Sequence, residues 1–98
     1  MQREEVLKIL RDHRADLDAL GVRHLSLFGS VARGDAGPES DVDVLVEFDG
    51  RTTFDRYMDL VLALQDWLGR RVDVVTQRSL ARKPDWQKRI AAEALLVA

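Results

Sequence analysis

Hydrophobic positions recur at helical spacing from about Gln2 to Leu20, with Val6, Leu7, Leu10, Leu17 and Leu20 on one face. Arg3, Glu4, Lys8, Arg11 and Asp12 fill the other face, which predicts an amphipathic helix that Gly21 is placed to end. His13 falls among charged residues and reads as solvated. Arg23 to Phe28 predicts a short apolar strand; His24 at its start has no second histidine nearby and is assigned no role. A Gly29-Ser30 turn and a helical turn at Val31–Arg33 follow, then a loop over Asp35–Glu39 marked by Gly37-Pro38. Asp41 to Phe48 predicts a second strand. Its alternation puts Val42, Val44, Val46 and Phe48 on a core face and Asp41, Asp43, Leu45 and Glu47 on the other. Thr52 with Asp55 resembles a capping box at the head of a helix from about Phe54 to Leu68. Phe54, Tyr57, Met58, Val61, Leu62, Leu64 and Leu68 supply its apolar stripe, Trp67 belongs with them, and Gly69 ends it. Arg71 to Thr76 predicts a third strand, with Val72, Val74 and Thr76 on one face and Arg71, Asp73 and Val75 on the other. The tail predicts a turn at Ser79–Arg82 and a helix from Pro84, tolerated as a first helical residue, to about Leu95. Trp86, Ile90, Ala94 and Leu95 form its apolar side, and Arg82, Lys83, Lys88 and Arg89 a local basic group.

Chemistry concentrates where strands begin and end. Asp41 and Asp43 share a strand face, so they repel each other unless a cation holds them, and hard divalent cations such as Mg²⁺ suit carboxylate oxygens. Asp73 sits in an apolar strand, where a carboxylate costs free energy without a partner, and is the natural third acid. A salt bridge to Arg70 or Arg71 is its structural alternative. Gly29 permits a sharp turn and close approach to a ligand, while Ser30 offers a hydroxyl where a helix N-terminus opens, a seat for phosphate. Arg33 has two readings: a guanidinium fork for a triphosphate, or an ion pair that holds the loop. If the three carboxylates meet, the second and third strands run parallel, joined by a right-handed helical crossover. The first and second strands then run antiparallel. The expected architecture is α/β, a small mixed sheet with helices on one face and the other partly open.

At 98 residues the chain predicts one domain, residues 1–98. The net charge of -2, without a basic tail, does not predict broad binding to nucleic acid. The absence of cysteine excludes disulfides and thiolate zinc sites. No signal peptide and no membrane-spanning apolar run is visible, so the expectation is a cytoplasmic protein without a membrane partner.

Ten residues separate Ser30 from Asp41. Gly-Ser, this gap, then Asp-x-Asp resembles the signature of the DNA polymerase β nucleotidyltransferase superfamily. The fuller string Gly29-Ser30-Val31-Ala32-Arg33-Gly34 with Ser40-Asp41-Val42-Asp43 looks like its smallest branch, the minimal nucleotidyltransferases, commonly antitoxins beside HEPN-type toxins. The resemblance spans nearly the whole chain. It implies a polymerase β palm-like fold, ATP as donor, and a third acid on the strand after the long helix, at Asp73. The chemistry expected is transfer of AMP. The triphosphate lies on Gly29 and Ser30, with Arg33 in reach, and two Mg²⁺ ions are held by Asp41, Asp43 and Asp73. Asp73 is the expected general base. The resemblance further implies that the acceptor is a tyrosine of a HEPN RNase toxin, presented within a hetero-oligomer. Two rival functions are an idle antitoxin that neutralises by binding alone and a transferase for small molecules, for which the chain lacks domain mass. A polymerase role is weaker, since no thumb-like domain or basic duplex groove is present.

Overall fold

A computed structural model describes residues Met1–Ala98. The N-terminal helix expected over 2–20 is divided into α1 (Arg3–Asp12) and α2 (Arg14–Ala19). At His13 the backbone N–H bonds to Leu10 O at 3.2 Å, an i−3 pattern that tightens the turn before Leu17 N resumes on His13 O at 2.9 Å. The His13 ring is not simply solvated. It stacks on Trp67 with centroids 4.0 Å apart, and its Nδ1 lies 2.7 Å from Asp16 Oδ2.

The remaining elements are β1 (Val22–Phe28), α3 (Gly29–Arg33), β2 (Val42–Phe48), α4 (Phe54–Leu68), β3 (Val72–Thr76), α5 (Gln77–Leu80), α6 (Pro84–Glu93) and β4 (Leu95–Leu96). The sheet has four strands in the order β3-β2-β1-β4. β1 and β2 are antiparallel and β2 and β3 parallel, with α4 as the crossover. This is the mixed sheet expected from the carboxylate argument. The tail differs: α6 stops at Glu93, Ala94 is extended (φ −68°, ψ 136°), and Leu95–Leu96 pair antiparallel with Leu27 and Ser26. This short strand covers the otherwise open edge of β1. Val97 N donates to Leu25 O at 2.8 Å, which extends the anchoring.

Helix α4 has the expected bounds but a different cap. Thr53, not Thr52, is the cap residue, and its Oγ1 accepts from Arg56 N at 3.2 Å. Its buried line is Leu60, Leu64 and Leu68, one residue every four, flanked by half-buried Tyr57 and Val61. Phe54 and Leu62, expected in the stripe, are exposed, because about 100° per residue turns position 62 away from 60 and 64.

Alternation along the strands makes two layers. Val42, Val44 and Val46 join Leu25 and Leu27 against Val6, Leu10, Leu17, Leu60 and Leu64, all fully buried. Each such side chain contributes about 1.5–3 kcal/mol. On the opposite face Phe28 packs with Leu80 and Ile90, with Leu45 and Val75 alongside. Helices were expected on one face only; α1, α2 and α4 obey this, whereas α5 and α6 lie along the other. Their own apolar residues require cover, and Phe28, Leu45 and Val75 supply it. What α6 leaves open of that face is its acidic end.

Candidate functional site

The site begins where β1 runs directly into α3. Gly29 carries φ +77°, a conformation that disfavours any side chain. A Cβ at this position would collide with the Asp43 carboxylate. Gly29 therefore serves the turn, as its place in the sequence suggested, and also leaves room for the close approach of Asp43, which the sequence did not indicate. Phe28 is the register partner of Asp43 on β1, and Asp73 its partner on β3. Phe28, Asp43 and Asp73 thus form one row across three strands, on the same face. Asp41 lies just before β2, with its Oδ1 3.9 Å from Arg71 Nε.

A cavity of about 290 Å³ opens beside this row. One wall is made by Phe28 and Asp43 of the sheet with Gly29, Ser30 and Arg33 of α3. Its other wall is α6, through Trp86, Arg89, Ile90 and Glu93. Ser30 lies at the head of α3, where the cavity meets the turn.

The electrostatics of Asp43 are distinctive. Its carboxyl is pushed up to about 6, first by burial, then by the charges of Asp73 and Asp41, with Arg33 acting in the opposite sense. The six ion pairs of the chain leave Asp43 and Asp73 without a cation. No three His, Cys, Asp or Glu side chains converge into a ready-made cage. The structure brings Asp43 and Asp73 together as neighbours, while Asp41 is turned toward Arg71 at the rim. In donor chemistry the set fits Mg²⁺: hard oxygens, like charges packed on one face, and an ionised form of Asp43 that the fold by itself disfavours.

The sequence reading missed Glu93. The Gly29 N–H donates to Glu93 Oε1 at 3.1 Å. Arg33 donates through Nη1 to Glu93 Oε2 at 3.0 Å and through Nε to Asp35 Oδ2 at 3.2 Å. Of the two readings of Arg33, the structure displays the ion pair, and the hydrogen bonds it donates to Glu93 and then to Asp35 raise its pKa. Glu93 lies 64 residues from Gly29 in sequence, so no local motif joins them. One signal was present: Trp86, Ile90 and Glu93 follow at i, i+4, i+7, which puts a carboxylate on the apolar face of the helix.

The model of the nucleotidyltransferase domain family matches residues 4–97. The protein adenylyltransferase MntA of Thermococcus cleftensis is 41% identical over 78 residues, 79% of each chain. A solved structure provisionally described as a minimal nucleotidyltransferase superposes with TM-score 0.83 at 35% identity, over 97% of this chain and 95% of that one. A complex of the tri-AMPylated Shewanella oneidensis HEPN toxin with its MNT antitoxin gives TM-score 0.60 at 20% identity, over 98% of this chain and 68% of that one, a likeness of fold. The turn at Gly29, the acids aligned beyond it and the match over almost the whole length agree: the chain is a nucleotidyltransferase and belongs to the nucleotidyltransferase domain family, in its minimal branch.

Proposed function

We propose that this protein transfers AMP from ATP to a hydroxyl of a partner protein, a tyrosine of a HEPN-type RNase toxin, and so acts as an antitoxin. The observation that carries the reading is the pairing of Asp43 with Asp73 across adjacent parallel strands, beside a glycine turn that keeps the space over Asp43 free of a side chain. The names of the relatives support protein as the acceptor class. So does the open side of the site: β3 is an edge strand and Asp73 is exposed on it. A hydroxyl carried by another molecule reaches Asp73 without a second lobe in this chain.

Gly29 and Ser30 seat the β- and γ-phosphates. The missing Cβ permits close approach, and the Ser30 hydroxyl donates to a phosphate oxygen. Asp41, Asp43 and Asp73 would hold two Mg²⁺ ions, which neutralise charge on the triphosphate and acidify the acceptor hydroxyl when bound. Asp73 accepts the hydroxyl proton as general base. The new bond joins the acceptor oxygen to the α-phosphorus, the bond from that phosphorus to the bridging oxygen breaks, and pyrophosphate departs with that oxygen. Positioning and charge neutralisation supply the rate.

The test uses ATP labelled at the α-phosphate in one tube and at the γ-phosphate in another, with Mg²⁺ and a HEPN-type RNase toxin. The α-label is expected on the toxin and the γ-label in free pyrophosphate. Label on the toxin from the γ-position would make the chain a kinase and refute the reading. With no label from either position, and the toxin still neutralised, binding alone would be the function.

A further inference from the structure

The seat proposed for the triphosphate already holds an anion. The Gly29 N–H lies 3.1 Å from Glu93 Oε1, and the Arg33 guanidinium lies 3.0 Å from Glu93 Oε2. A backbone amide in a glycine turn and a guanidinium fork are the donors that phosphate oxygens also seek. Glu93 spends both of its oxygens on them. We propose that Glu93 is an internal stand-in for phosphate, which occupies the Gly29 and Arg33 donors until ATP displaces it and thereby sets the affinity for nucleotide. This rests on the assignment of Gly29-Ser30 as the phosphate seat.

The surroundings agree with a replaceable occupant. Glu93 is the last residue of α6, its side chain is 25% exposed, and rotation about its own side-chain bonds releases the contacts without unfolding the helix. Retained in place, it would add negative charge against both Asp43 and an incoming triphosphate. Arg33 keeps Asp35 as a second partner at 3.2 Å, so its guanidinium stays beside the turn when Glu93 leaves. The same displacement couples nucleotide to α6, because Glu93 is the polar tie from that helix to the turn, and Trp86 and Ile90 on its face line the same cavity.

The experiment measures the dissociation constant of the ATP analogue AMP-PNP, with Mg²⁺, by calorimetry for wild type, Glu93→Gln and Glu93→Ala. Glu93→Gln keeps an oxygen for the Gly29 N–H and removes the charge; circular dichroism confirms that each variant is folded. Affinity is expected to tighten about threefold in Glu93→Gln and about tenfold in Glu93→Ala, the scale of a lost charge-assisted competitor. Adenosine, which carries no phosphate, is expected to bind all three alike. Unchanged or weaker AMP-PNP binding in the folded variants, with wild type still binding nucleotide and transferring AMP, overturns the role of Glu93 alone. Failure of all three proteins to bind AMP-PNP overturns the phosphate seat and this proposal together.

Discussion

Replacing Asp43 by asparagine is expected to abolish transfer and yet stabilise the metal-free protein. The fold raises the Asp43 carboxyl to about 6, so it favours the neutral form. Above that pH the ionised carboxylate weakens the folded state relative to the unfolded chain; below about 4, the ordinary value, it is protonated in both states and the effect is absent. A shift of about two units corresponds to about 3 kcal/mol at full weight. Asp43 is only half-buried, and screening by water reduces this to about 1–1.5 kcal/mol. Asparagine has nearly the same shape and no charge to strain. At pH 7.5 the variant is expected to gain this amount, about 5–10 °C in melting temperature for a chain of this size. The gain should shrink as pH falls through about 6 and vanish below about 4. Urea denaturation followed by circular dichroism across that range is the assay, without and with Mg²⁺. Mg²⁺ should raise the wild-type midpoint and leave Asp43→Asn unmoved. A variant no more stable than wild type at pH 7.5, or a gain that persists at pH 4, would refute the electrostatic argument.

Other substitutions separate fold from chemistry. Gly29→Ala places a Cβ against the Asp43 carboxylate at a positive φ; it should cost about 1–3 kcal/mol in urea denaturation and remove AMP transfer. Asp73→Asn leaves the glycine turn intact, so AMP-PNP binding should persist in calorimetry while transfer falls by about 10²-fold or more, as expected for loss of a general base. Tyr57→Phe deletes the hydroxyl that donates to Val74 O at 3.1 Å. It should cost about 1 kcal/mol of stability with little change in the rate of transfer.

The parts of this molecule that were legible in its sequence are those determined within one element or by a close pair of elements. The alternation Val42, Val44, Val46 against Asp41 and Asp43 separated core face from acidic face, and burial along β2 follows it strand position by strand position. The need to unite Asp43 with Asp73 dictated a parallel pair and a helical crossover, and the register aligns these two residues. What escaped depended on distant partners. His13 interrupts the first helix while stacking on Trp67, which no periodicity near residue 13 encodes. Leu60 replaced Leu62 in the α4 core because the sheet selects the face of the helix, and two apolar stripes were available to it. Leu95 reads as the end of a helix, since Leu95 and Leu96 are too few to show a strand period; the open edge of β1 recruits them. Glu93 escaped for the same reason. Its partners, Gly29 and Arg33, lie at the far end of the chain and meet it only after α6 has folded back across the sheet.

The central claim is that these acids work on a nucleotide whose AMP ends on a partner protein. The most direct measurement is the intact mass of both chains after this protein is mixed with a HEPN-type RNase toxin, ATP and Mg²⁺. The parallel sample carries Asp41→Ala with Asp43→Ala. The account predicts that the toxin gains the mass of one or more AMP units with wild type and none with the double variant. An unmodified toxin in both samples, bound and silenced equally by each, would contradict it.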